Sequence, residues 1–229
     1  MQALKNAIPN CFTLANLACG LLGILWAFEG KLVEAAYLIW LAAAFDFMDG
    51  FAARMLKAAS DIGKQLDSLA DMVTFGVLPS FLYYHMLSGA FTAPLVYLTA
   101  TTALLSALRL AKFNVDEDQQ TEFKGLSTTA NGIFTSALPL ILAGNSFLTP
   151  VFEVPEVLLA TCLVFSILLV TPITLFSLKF SHFKWAGNQT RFIFIGLSGG
   201  LFIAFYYNAI PLIIASYILL SILEKMNKK

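Results

Sequence analysis

Two aspartates and an arginine close an otherwise apolar stretch, Phe45-Asp46-Phe47-Met48-Asp49-Gly50-Phe51-Ala52-Ala53-Arg54. Two more aspartates open the next one, Gly63-Lys64-Gln65-Leu66-Asp67-Ser68-Leu69-Ala70-Asp71. Asp46, Asp49, Gly50 and Ala53 recur at i, i+3, i+4 and i+7, the spacing of one helical face, and Asp67 and Asp71 share a face of the following helix. If these helices run antiparallel across a short connection, Asp49 and Asp67 lie about 6–8 Å from its ends, and Asp46 and Asp71 about 12 Å, at a rise of about 1.5 Å per residue. Carboxylates at matched depths can form a box. Four negative charges in a low-dielectric setting need compensation, and two divalent cations balance them. An all-oxygen ligand set favours Mg²⁺ or Mn²⁺ over zinc. A metal pair suits displacement at phosphorus, because it stabilises both the attacking and the leaving oxygen. Gly50 and Ala53 leave room for a ligand close to the backbone, and Arg54 offers a forked donor for phosphate oxygens. Taken singly, Asp-x-x-Asp-Gly is also compatible with a capped helix end, and Asp67 with Asp71 with a proton relay in a transporter.

The elements that must hold these residues are set by composition. Of the 229 residues 59% are hydrophobic and only 12% charged, with a mean hydropathy of +0.78. Soluble domains carry roughly a quarter charged residues, so lipid is the expected solvent: an all-α, polytopic membrane protein, one integral domain over 1–229. A crossing helix needs about 20 apolar residues. Eight candidate spans follow, at 10–28, 33–56, 63–87, 92–112, 127–147, 156–178, 191–207 and 209–224. The last two are separated only by Asn208-Ala209-Ile210-Pro211, so a hairpin and a single kinked helix are both open. Ionisable groups inside spans are costly, which makes the four aspartates a functional site by default.

Charge gives the orientation. Eight spans put Lys5, Arg54, Lys57, Lys64, Arg109, Lys112, Lys124, Lys179, Lys184, Arg191, Lys225, Lys228 and Lys229 on one side and only Lys31 on the other. That bias places the termini and the aspartates at the cytoplasmic face of a bacterial inner membrane. The first apolar segment is too long for a signal-peptide core and is read as a retained helix. Met1 to Pro9 reads as an interfacial segment or a loose tail. The net charge of zero gives no hint of a nucleic-acid partner. Cys11, Cys19 and Cys162 lack metal-ligand spacing and read as small buried hydrophobes.

The aspartate pattern resembles the signature of the CDP-alcohol phosphotransferase family, D-x2-D-G-x2-A-R-x8-G-x3-D-x3-D, through Asp46, Asp49, Gly50, Ala53, Arg54, Gly63, Asp67 and Asp71. The resemblance implies a helical membrane homodimer that uses divalent metal and releases CMP from a CDP-linked lipid. It implies that the four aspartates ligate the metal pair, that Gly50, Ala53, Arg54 and Gly63 hold the cytidine diphosphate, and that Asp71 takes the proton of the acceptor hydroxyl. Further runs resemble the phosphatidylserine synthase branch: Ile8-Pro9-Asn10 with Phe12-Thr13-Leu14 and Asn16, Leu108 to Asn114, Phe123-Lys124-Gly125-Leu126, and Leu175 to Phe180. The expected substrates are then CDP-diacylglycerol and L-serine. Lys112 stands where that branch usually has a second arginine, and Ser127-Thr128-Thr129-Ala130-Asn131 where it usually has prolines.

A zwitterionic acceptor needs a cation for its carboxylate, and Arg109, Lys112 and Lys124 are the candidates, with Asp116, Glu117 and Asp118 a solvated loop or an ammonium partner. Two alternatives stay open. A sister enzyme using glycerol 3-phosphate or an inositol compound would need further anion-binding arginines. A transporter would place its carboxylates near the bilayer midplane. Thr13 and Asn16 read as pocket-lining or as interhelical bonds, Asp61 as the cap of the third span, and Pro139, Pro172 and Pro211 as kinks. His85 and His182 have no ligand partner in the sequence.

Overall fold

The computed structural model describes residues 2–58, 60–115, 123–176, 185 and 188–227, with side chains omitted at 2–6, 123–124 and 227. α1 (Gln2–Phe28) turns at Glu29–Lys31 into α2 (Leu32–Leu56). The helix of α1 starts well before residue 10 and carries Pro9 inside it, so the segment expected there to be interfacial or loose is helical and continuous with the first span, which runs Ala7–Phe28. α2 ends on Lys57, left-handed at φ 51°, whose N–H returns to the carbonyls of Ala53 and Arg54.

The third span is one helical rod of three parts: α3 (Asp61–Asp71), a π-helical segment Met72–Val77, and α4 (Leu78–Leu87). Its cap is Ser60, whose hydroxyl accepts from the Gly63 N–H at 3.1 Å, and not Asp61, which sits in the first turn. There its charge still complements the helix dipole. A 3₁₀ segment, Leu95–Ala100, leads into α5 (Thr101–Val115). Then follow α6 (Thr128–Ala143), with Ser127 capping it through the Ala130 N–H at 3.1 Å, a short α7 (Thr149–Phe152) and α8 (Pro155–Val170). The sixth span stops at Val170 rather than 178. Pro172 lies beyond the helix instead of kinking it, and Thr174–Leu175 (β2) pairs antiparallel with Phe123–Lys124 (β1).

α9 (Gln189–Phe205) and α10 (Ala209–Asn227) flank a break at Tyr206, φ 56°. The rings of Phe194 and Tyr217, on opposite sides of that break, lie 5.4 Å apart. A single kinked helix could not bring them together, so the last two spans are a hairpin. Pro211 is in the first turn of α10, where it costs no helical hydrogen bond. Among the described residues the long helical units therefore follow the eight expected spans in order. Ala7–Phe28, Leu95–Val115 and Gln189–Met226 are long and apolar enough to cross a membrane by themselves. The last run contains the hairpin, and α2 and α3 carry the carboxylates.

Large apolar side chains face outward along these helices, among them Leu25, Phe47, Phe51, Leu104 and Ile203, the last 84% exposed. In lipid this costs nothing, and helix association rests instead on close van der Waals packing. That packing is tightest around the π segment. A side chain at Gly20 of α1 would strike Thr74, one at Gly132 of α6 would meet Phe75 at 2.8 Å, and one at Gly76 would meet Ser106 of α5 at 2.9 Å. Three helices thus grip the six residues that follow Asp71. One core cluster, with Ile39, Phe75, Leu78 and Leu82, joins α1 and α2 to this rod; a second, with Tyr83, Phe134, Leu138 and Cys162, joins it to α6 and α8. Cys19 and Cys162 are buried as expected, whereas Cys11 is exposed.

Candidate active site

α2 and α3 bring three of the four carboxylates together. One oxygen from each of Asp46, Asp49 and Asp67 lies within 4.8 Å of the other two. Asp46 and Asp67 are half-buried, Asp49 and Asp71 buried. No described lysine or arginine forms an ion pair with any of the four. At an effective dielectric of about 20, two unit charges this close repel by about 3.5 kcal/mol. Three such pairs approach the whole folding stability of a typical domain, roughly 5–15 kcal/mol. Among the described residues no cation is paired with this charge, so the cluster suits a bound cation. Asp67 Oδ1 is buried without a hydrogen-bond partner among the described residues, which leaves a lone pair for a ligand. An all-oxygen set of this density fits a hard divalent cation.

Asp71 is outside that group of three but within Coulombic reach of all its members. It accepts from Asn16 Nδ2 at 3.1 Å, while Thr13 Oγ1, one turn earlier on α1, donates to Asp49 Oδ2 at 2.7 Å. Thr13 and Asn16 thus orient one carboxylate on each neighbouring helix, and Thr13 also lines the cavity described next. Thr74, in the π segment, donates to the Asn16 carbonyl at 3.1 Å and locks that helix pair. Thr129, at the start of α6, reaches Asp46 Oδ2 at 3.5 Å.

Beside the triad is a cavity of about 250 Å³ lined by Pro9, Asn10, Thr13, Asp49, Gly50, Ala53, Ala58, Ser60, Gly63, Lys64 and Asp67. Three of the four expected nucleotide residues, Gly50, Ala53 and Gly63, are in this wall. A side chain at Gly50 would project into open space, and one at Gly63 would come within 3.3 Å of Asn10. Arg54 is exposed and outside the lining. Lys64 donates to the Asn114 carbonyl at 3.2 Å, and the Asn114 amide donates to Ser68 at 2.9 Å, which ties the ends of α3 and α5.

Of the acceptor candidates, Arg109 is buried on α5, within Coulombic reach of Asp71 and Tyr217, and its Nε has no hydrogen-bond partner among the described residues. Lys112 is exposed in the last turn of α5. The Lys124 side chain and Asp116 to Asp118 lie outside the described residues, as does His182. Sequence reasoning gave no site role to Ser60, Thr129 or Asn10, the last two entering only in runs compared with a family branch. A hydroxyl or amide one turn from a charged segment is the signal that would have found them.

A carboxylate cluster fit for a cation, sunk into a polytopic helical bundle beside a small-residue cavity, defines a membrane protein with a candidate metal site. The chain belongs to the CDP-alcohol phosphatidyltransferase family, whose profile matches residues 6–172, and is a membrane transferase. It is 37% identical over 183 residues to the CDP-diacylglycerol–serine O-phosphatidyltransferase of Bacillus subtilis, covering 78% of this chain and 92% of that one. A Methanocaldococcus jannaschii enzyme of the same name is 38% identical over 109 residues, 47% of this chain and 49% of the relative. The archaetidylserine synthase of Methanothermobacter thermautotrophicus is 32% identical over 136 residues, 58% of each.

Proposed function

We propose that the protein transfers the phosphatidyl group of CDP-diacylglycerol to the hydroxyl of L-serine, forming phosphatidylserine and releasing CMP. The observation that carries this reading is the Asp46–Asp49–Asp67 cluster opening on the Gly50, Ala53 and Gly63 wall. The names of the similar enzymes support the acceptor. Asp46, Asp49, Asp67 and Asp71 are the residues that would hold divalent metal, two Mg²⁺ or Mn²⁺ by charge balance, and such ions polarise a diphosphate and ease the departure of CMP.

The chain's own groups divide the remaining work. The small-residue wall admits the cytidine diphosphate, with Lys64 and, from its neighbouring turn, Arg54 available to its phosphates. The serine hydroxyl oxygen bonds to the lipid-side phosphorus as the bond from that phosphorus to the bridging oxygen breaks, and the bridging oxygen leaves with CMP. The hydroxyl proton passes to the Asp71 carboxylate, which the Asn16 amide holds in one orientation. Arg109, buried near Asp71, supplies a fixed cation for the serine carboxylate; Lys112, exposed in the last turn of α5, extends that positive field toward the bulk, and Lys124 remains a candidate from the sequence. The thirteen-to-one distribution of basic residues supports a site facing the cytoplasm of a bacterial inner membrane. A homodimer is the assembly that the family resemblance suggests.

The test is CMP release from CDP-diacylglycerol by purified protein with Mg²⁺ or Mn²⁺ and serine, glycerol 3-phosphate or inositol, with Asp71→Asn in parallel. The expected result is release that needs serine and metal and is lost in the variant. Release with another acceptor alone would overturn the serine assignment.

A further inference from the structure

The carboxylates have a second side. The cavity wall takes in Asp49 and Asp67 but neither Asp71 nor any residue of α5 or α6. On that other side several buried groups have no hydrogen-bond partner among the described residues: Asn16 Oδ1, Arg109 Nε, and both side-chain atoms of Asn131. Asn131 is fully buried on α6. A buried amide with its donor and acceptor both uncommitted is held at a cost, and is expected only where something else satisfies it.

Its position follows from the packing around the π segment. α6 crosses that segment at Gly132 over Phe75, and α5 crosses it at Ser106 against Gly76. Thr129 reaches Asp46, so the first turn of α6 lies at the level of the carboxylates. In sequence Asn131 lies between Thr129 and Gly132, the two α6 residues that make these contacts. Arg109 is one turn from Ser106 and within Coulombic reach of Asp71. Arg109 thus faces Asp71 from α5, and Asn131 is buried on α6 one residue from the contact with Phe75, on the second helix that packs on the π segment.

We propose that Asn131 reads the amino group of the acceptor, which deepens and rests on the serine reading above. The substrate class is a small hydroxylated amino acid as its zwitterion. Its carboxylate meets Arg109, its ammonium meets the Asn131 amide oxygen, and its hydroxyl is left facing Asp71. A neutral amide suits this place: a fifth carboxylate would add to the repulsion among Asp46, Asp49, Asp67 and Asp71, and a lysine would repel the ammonium. Because neither amide atom has a partner among the described residues, the oxygen is available to turn toward the ligand.

The experiment compares serine with 3-hydroxypropionate, which keeps the hydroxyl and carboxylate but lacks the amine, in the full-length protein and in Asn131→Ala and Asn131→Ser. Loss of a hydrogen bond to a charged group predicts a serine KM about 10- to 100-fold higher in Asn131→Ala. The KM for 3-hydroxypropionate should move by no more than about 3-fold, so the preference for serine collapses, while the KM for CDP-diacylglycerol holds. Asn131→Ser, which keeps a small acceptor oxygen, should fall between, and decides the matter if the alanine variant does not fold. Wild type that uses serine, with variants showing an unchanged serine to 3-hydroxypropionate preference, would sink this inference alone. Wild type that transfers only to other acceptors would sink the serine reading and this inference with it.

Discussion

Removal of Asp67 should stabilise the metal-free protein and abolish its response to metal. One oxygen of each of Asp46, Asp49 and Asp67 lies within 4.8 Å of the others, so Asp67→Asn deletes two of three repelling pairs. At about 3.5 kcal/mol per pair the upper figure is about 7 kcal/mol at an effective dielectric of about 20. Asp67 is only half-buried and counter-ions screen it, so about 2–4 kcal/mol is the working expectation. For a chain of this size each kcal/mol shifts Tm by roughly 2–4 °C. In detergent with chelator, the variant should melt about 5–15 °C above wild type. Addition of Mg²⁺ or Mn²⁺ should raise the wild-type Tm and leave the variant nearly unmoved, because its cluster has lost a ligand. The assay is a thermal melt followed by intrinsic fluorescence, with and without metal. A variant that melts below wild type in chelator, yet keeps the full metal-dependent rise, would refute the claim that these three oxygens form one cation site.

Asp71→Asn should lower kcat by about 10²–10⁴-fold, the usual worth of a positioned proton acceptor, while CDP-diacylglycerol binding survives in an equilibrium assay. Thr13→Val removes the 2.7 Å bond to Asp49 and should weaken metal affinity by about 10-fold or more, measured by titrating activity against metal concentration. Gly50→Val points a side chain into open space, so the protein should fold with an unchanged melt while the KM for CDP-diacylglycerol rises at least several-fold. Gly132→Val instead drives atoms into Phe75 and should destabilise by about 1–3 kcal/mol, read as a lower Tm in both metal conditions.

The aspartates were legible because lipid makes an ionisable side chain inside an apolar run expensive, and period 3.6 placed them on facing stripes. Depth along a helix is likewise readable from residue counts, which predicted a four-membered box. Rotation about the axis is not, and the structure shows three members meeting within 4.8 Å, with Asp71, bonded to Asn16, in Coulombic reach of all three. The π segment after Asp71 left no trace in the sequence, since six residues are too few to separate its period from that of an α-helix. It arises from tertiary contacts, with Gly20, Gly76 and Gly132 letting three neighbours close on it. Ser60 and Asp61 are adjacent oxygen side chains with equal claim to the cap, and only backbone geometry separates them. Arg109 enters beside Lys112 and Lys124 as a cation for the acceptor carboxylate, and only its burial separates it from exposed Lys112, whereas Asn131 drew notice only as a departure from a family pattern. Its lack of a partner among the described residues is a property of the packed bundle.

The most direct measurement is the identity of the lipid product. Purified protein in mixed micelles would be given CDP-diacylglycerol, Mn²⁺ or Mg²⁺ and isotopically labelled L-serine, and the lipids resolved by mass spectrometry. Labelled phosphatidylserine, formed one for one with CMP and absent when metal is chelated, is the predicted result. CMP release without label in any lipid, or labelled product that persists in chelator, would contradict the account at its centre.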